Sequence, residues 1–314
     1  MDDASAPRSA LPAVSMPLAT ALVVLASVGF GSVPFFARGL TEAGMAPHAV
    51  ALWRYALAAL IFLPVVVGAR AQWRLLLAGA AVGLGIGLGW VAYVRALTAL
   101  PVATVGVVYM TFPVFALLAS RLLFGERPSA RGLAAAGVVT AAAALAAGPA
   151  ALHPASAGMI ALAFLSPATF GAAIACLVHL LPPLPVLARM GAISLGSVAG
   201  LLPLVAATPV ERIVPADGHA LALVVGISLG TALLPQLLYT FFAPVVGAAR
   251  AATAGAAELP TMLAIGWLAM GEAITLPQAV AAGLIVGAIA LSPSRRLRGP
   301  VVTAATTPRR RARP

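Results

Sequence analysis

Apolar stretches of about twenty residues recur along almost the whole of this 314-residue chain. That is the length an α-helix needs to cross the ~30 Å hydrocarbon core of a bilayer. Ten such runs can be marked, at 17–37, 47–67, 75–94, 102–124, 132–150, 158–178, 185–206, 221–242, 251–270 and 277–292. Inside lipid every backbone polar group must be satisfied by the protein itself, which predicts helices for these runs. The composition agrees, with 62% hydrophobic and 9% charged residues, against roughly 45–50% and about 25% in a soluble domain. The expected fold class is an all-α polytopic membrane protein of ten transmembrane helices. The connections are too short to hold a soluble domain between them.

A formal net charge of +11 raises nucleic acid as a partner. However, every basic residue is an arginine, and Arg295, Arg296, Arg298, Arg309, Arg310, Arg311 and Arg313 crowd the last twenty positions with no aromatic among them. Single-stranded nucleic acid needs stacking surfaces between its cations, so the tail reads as a cytoplasmic topology anchor. The lone Cys176 excludes an internal disulfide and a thiolate cluster. His48, His153, His179 and His219 lack ligand spacing. No P-loop, metal motif or nucleophile elbow is present, so neither a metal nor a cofactor is expected. GLGIGLG at 83–89 lies within an apolar run with no strand before it, and reads as a small-residue packing face. The first run is long for a signal peptide and follows Asp2, Asp3 and a single Arg8, so it is expected to remain uncleaved.

Ten crossings put both termini on one side, and the arginine tail makes that side the cytoplasm. The loops agree: Arg8, Arg70, Arg74, Arg121, Arg127, Arg131, Arg189 and Arg250 fall inside, and Arg38, Arg95 and Arg212 outside.

The chain also repeats itself. Gly125-Glu126 is followed by Gly137, and Gly271-Glu272 by Gly283, at the same interval. Pro113 and Pro260 precede those glutamates by thirteen and twelve residues. Phe30-Gly31 recurs as Phe170-Gly171, and Arg54 follows Pro47 as Arg189 follows Pro182, seven residues on. Five crossings per copy is an odd number, so the second copy enters from the opposite side. That predicts an inverted repeat, with a substrate site near the midplane between halves. The expected organisation is a cytoplasmic segment 1–16, a first repeat 17–150, a second repeat 158–292 and the tail 293–314.

Three segments carry a family resemblance: WRYALAAL at 53–60, YVRALTALPVATVGVVYMTFPVFALLASRLLFGERPSARG at 93–132, and GAARAATAGAAELPTMLAIGWLAMGE at 247–272. With the two five-helix halves, they resemble the EamA family of the drug/metabolite transporter superfamily. The resemblance implies export of amino acids or other small metabolites without naming a substrate. The absence of lysine and the arginine-rich tail depart from the usual pattern but do not touch the core motif.

Glu258 is the one acid well inside an apolar run, about 12 Å from the Arg250 edge at 1.5 Å per residue. A carboxyl there must be paired, protonated or facing water, which marks a substrate or proton pathway unless neighbouring helices simply bind it. Pro260 withholds an N–H from the Ala256 carbonyl, and Pro113 from that of Tyr109, so both helix breaks offer polar groups. Arg54 is expected about 10 Å below the outer face, as a clamp for a carboxylate or other anion or as a residue snorkelling to the headgroups. Trp90, Tyr93, Thr111, Gln236 and Tyr239 complete the candidates, Tyr93 and Tyr239 each standing thirty-three residues before its Gly-Glu glutamate. Glu126 and Glu272 read as polar turns on opposite membrane faces.

The reading is a multi-pass secondary transporter of a bacterial-type inner (plasma) membrane with both termini cytoplasmic. It exports a small metabolite by alternating access, with Glu258 as the group through which protons could couple. Its partners are the lipid bilayer and a small-molecule substrate, and a homodimer stays open. The alternatives are a membrane-embedded lipid or prenyl transferase, which lacks the clustered acids or His-acid pair such chemistry needs, and a non-transporting subunit working through its tail.

Overall fold

The described parts of the apolar runs are largely helical in the computed structural model, which describes residues 15–128, 130–147, 154–246, 254–255 and 257–291. The N-terminal segment, the arginine tail, His153, Arg250 and Ala256 lie outside the described residues. Among those described there is no strand.

The helices are α1 (Met16–Gly31), α2 (Val33–Glu42), α3 (Pro47–Gly68), α4 (Trp73–Leu97), α5 (Val102–Tyr109), α6 (Phe112–Phe124) and α7 (Ala130–Ala147). They are followed by α8 (Pro154–Ala163), α9 (Leu165–His179), α10 (Val186–Ala206), α11 (Gly218–Val225), a π-helical segment Gly226–Leu233, α12 (Leu234–Val246), α13 (Glu258–Met270) and α14 (Leu276–Leu291). Seven continuous stretches are long and apolar enough to cross a membrane: Met16–Glu42, Pro47–Gly68, Arg70–Leu97, Val102–Phe124, Ala157–His179, Val186–Ala206 and Gly218–Ala243. Helices α7, α13 and α14 occupy the other three apolar runs.

Several crossings are interrupted. Ser32 separates α1 from α2, Met110 and Thr111 separate α5 from α6, and Phe164 separates α8 from α9. At Pro113, read from the sequence as a helix break, α5 ends at Tyr109 and Pro113 stands in the first turn of α6, where its missing N–H has no intrahelical partner to lose. Pro260 stands likewise in the first turn of α13.

Both Gly-Glu turns end their helices in the same way. Gly125 and Gly271 are left-handed, with φ of 69° and 65°, a conformation glycine adopts without Cβ strain. The next N–H folds back, Glu126 onto the Ser120 carbonyl at 3.2 Å and Glu272 onto the Gly266 carbonyl at 2.9 Å.

The glycine-rich run of α4 packs on α10, as its small residues predict. A Cβ on Gly83 would collide with the Ile193 carbonyl, and one on Gly196 with that of Ala80. The close approach also lets Ser197 Oγ donate to the Gly83 carbonyl at 2.7 Å. Large apolar side chains such as Leu60, Leu122, Leu268 and Leu276 are exposed on the outside, where a bilayer would meet them. Replacing Gly83 with leucine should force α4 off α10 at a cost of about 1–3 kcal/mol, lowering the melting temperature in detergent by several degrees. Gly85→Leu, which enters open space, should leave it unchanged; equal melting of the two variants would contradict this packing.

Candidate functional site

Arg54 lies two turns into α3, only 6% exposed, with its guanidinium carbon 3.8 Å from the centre of the Trp90 ring and 5.9 Å from that of Tyr55. Its Nη2 donates to the Thr231 carbonyl at 3.0 Å. Snorkelling is therefore not what this side chain does: it is drawn inward onto an aromatic face, a cation–π contact that gains strength where water is excluded. Its Nε and Nη1 are buried with no hydrogen-bond partner. Donors left in that state are rare in folded proteins and mark places where a further group belongs.

The Thr231 carbonyl is available for a local reason. Pro235 stands four residues on, so the amide that would normally bond this oxygen is absent, and the Gly226–Leu233 segment winds as a π-helix, a form associated with functional sites. Ser228, in the same segment, donates to the Trp53 carbonyl at 2.7 Å. The residue before Arg54 and Arg54 itself are thus both tied to the π segment. Sequence reasoning applied the proline argument to Pro113 and Pro260 but passed over Pro235, the signal that would have exposed Thr231.

Trp90, Tyr93 and Tyr109 form one aromatic wall beside the guanidinium. Ring centres are 4.7 Å apart for Trp90–Tyr93, 5.6 Å for Tyr93–Tyr109 and 5.9 Å for Trp90–Tyr109. Phe112 and Phe170 extend the wall from Tyr109. Tyr93 Oη is the third buried polar atom without a partner, so the unsatisfied groups belong to neighbouring side chains of one cluster.

The other candidates divide. Thr111 is buried, but its hydroxyl donates to the Val108 carbonyl at 2.7 Å and closes the α5–α6 break. Tyr239 stands apart from Tyr93, with its ring centre 6.4 Å from that of Phe30 in the α1–α12 contact. Gln236 is exposed on α12, away from the cluster.

Glu258 opens α13 and is partly buried. No ion pair joins it to Arg54 among the described residues, yet its charge lies within electrostatic range of Arg54, Tyr93, Tyr109 and Tyr239. A carboxylate in the first turn of a helix is favoured by the helix dipole. A Cβ on Gly31 would come within 2.5 Å of the Glu258 carbonyl oxygen, and one on Gly171 within 2.7 Å of that of Phe112. Glu258 and Phe112 therefore hold corresponding places against corresponding glycines. One end of the aromatic wall carries a phenyl ring where its counterpart carries an acid.

No curated protein matches the chain. Eleven chains among the solved structures do. One of them, titled only "Crystal structure of protein", shares the fold with a TM-score of 0.59 at 20% identity, over 91% of this chain and 100% of its own. Residues 17–148 match the EamA-like transporter family. That match spans less than half of the chain, and over those residues the chain is similar to a family of the drug/metabolite transporter superfamily.

Proposed function

We propose that the protein is a ten-span secondary carrier built from two inverted five-helix repeats, 17–150 and 158–292, exporting a small metabolite by alternating access. The observation that carries this reading is Arg54: a buried guanidinium with two unsatisfied nitrogens, held between Trp90 of one half and Thr231 of the other. An intramembrane cation so placed is a pathway residue by default. A site spanning both halves is where an inverted-repeat carrier binds its cargo. The matched glycine contacts of Gly31 and Gly171, and the matched Gly-Glu caps, support the repeat. The similarity of residues 17–148 to a transporter family supports transport over membrane-embedded enzymology.

In this reading Arg54 and Tyr93 receive the polar part of the substrate, while Trp90 and Tyr109 cover its apolar part. Glu258 is the proton-coupling group, and Tyr239, Thr111 and Gln236 line approaches rather than the centre. The protein resides in a bacterial-type inner membrane with both termini cytoplasmic.

Flux into proteoliposomes tests the reading directly. Purified protein is screened against amino acids, nucleosides, sugars and cationic drugs, and transport of none of these classes would contradict it. With a transported compound in hand, Arg54→Gln should reduce uptake by about 10–100-fold, the loss of charge-assisted hydrogen bonds worth roughly 1.5–3 kcal/mol. Glu258→Gln should abolish the response to an imposed pH gradient while exchange of labelled for unlabelled compound persists. Gradient-driven accumulation undiminished in that variant would remove Glu258 from coupling. Truncation of residues 295–314 should leave flux intact, whereas a protein working through its tail would lose its output.

A further inference from the structure

Glu272 does more than end α13. Its Oε1 accepts from Arg38 Nη1 at 2.6 Å and its Oε2 from the Val102 N–H at 2.7 Å. Arg38 in turn donates from Nη2 to the Leu97 and Leu100 carbonyls, each at 3.1 Å. The carboxylate thus sits on the N-terminus of α5 and the guanidinium on the C-terminal end of α4, each charge matched to the helix end it meets. Both side chains are mostly buried, at 17% and 16% exposure, beside an open pocket of about 450 Å³ that also takes in Thr41, Glu42 and Pro101.

Glu126, which occupies the same place in the first half, accepts from His179 Nε2 at 3.0 Å, and the His179 ring stacks on Phe124 with centres 4.8 Å apart. Glu272–Arg38 and Glu126–His179 are thus paired side-chain contacts at corresponding places. Each joins a residue before 150 to one after 158, in opposite senses: an acid of the second half to a base of the first, then the reverse. In both, the base lies near the end of the crossing that carries the Phe-Gly pair. They stand at opposite ends of the molecule, because Glu272 binds Val102, where the Val102–Phe124 crossing begins, and Glu126 follows its end. That crossing has 23 residues, or roughly 34 Å of helix rise.

We propose that Glu272 and Glu126 are the latches of the two mouths of the pathway, positioning residues that hold the halves together at one end while the other end opens. Glu272 closes the mouth at which α5 begins, and Glu126 the mouth at which α6 ends. The arrangement described above, with both pairs made, is the closed intermediate between the two open forms. Release of Glu272 frees α5 to separate from α13 and opens the 450 Å³ pocket toward the aromatic wall.

The inference rests on the carrier reading, and its test needs no substrate. In a Cys176→Ser background, a Thr111→Cys reporter beside the wall is labelled with a membrane-impermeant maleimide in vesicles of each orientation. Glu272→Gln should raise the labelling rate about tenfold from the side where α5 begins and lower it from the other. Glu126→Gln should do the opposite. Val102→Pro removes only the N–H donor, at a helix position that tolerates proline and after a residue already extended at φ −58°, ψ 144°. It should shift labelling the same way as Glu272→Gln and keeps the test decisive where that variant fails to fold. Glu42→Gln, in the same pocket, should change neither rate. Unchanged rates in the latch variants, or labelling raised equally from both sides, would overturn the proposal. Opposite shifts in a protein that moves no solute would uphold the latches and overturn the carrier reading.

Discussion

A backbone carbonyl or amide that leaves a helix within a bilayer has no water to turn to, so each break in a crossing must be closed by the protein itself. This chain breaks its crossings repeatedly, and the closures give the molecule its shape. At the α5–α6 break the Thr111 hydroxyl turns back on the Val108 carbonyl. At the π segment, Pro235 leaves the Thr231 carbonyl without its usual amide, and Arg54 reaches across from α3 to take it. That hydrogen bond is one of several across the chain's two parts, and it holds the guanidinium beside Trp90. Nε and Nη1 stay buried without partners, with the guanidinium over the Trp90 ring. The same side chain closes a helix break and keeps two donors unpartnered.

Charge is arranged in three places along the contact between the halves. At the centre, Arg54 and Glu258 lie within electrostatic range of each other without forming an ion pair. At the ends, Glu272 with Arg38 and Glu126 with His179 touch directly. Close contacts that only small residues permit lie beside the acid at the centre. Gly31 against Glu258 and Gly171 against Phe112 are the clearest cases.

Seven crossings, the glycine face of α4 and the Gly-Glu caps were legible because each depends on local pattern: run length, residue size and a left-handed position that glycine fills. The candidate site was legible only in part. Depth along a helix located Arg54 but could not say whether it turned to the headgroups or to Trp90, since that depends on a ring 36 residues away in sequence and on a carbonyl of the other half. The π-helix has the composition of any apolar helix, and only Pro235 betrays it. Glu272 looked like a polar turn because its partner Arg38 is 234 residues away, and Gln236 looked like a pathway residue because sequence gives no sign of which way its helix face turns. Tyr93 and Tyr239 matched by repeat position, yet they serve different contacts, so duplication predicts place better than role.

The central claim is that the unsatisfied donors of Arg54 and Tyr93 are the groups a substrate completes. An experimental structure of the protein with a compound it transports tests this most directly. Ligand density is expected against the Trp90 face, with a polar atom within hydrogen-bond distance of Arg54 Nε or Nη1 and of Tyr93 Oη. Density seated elsewhere, with those atoms still unpartnered, would contradict it.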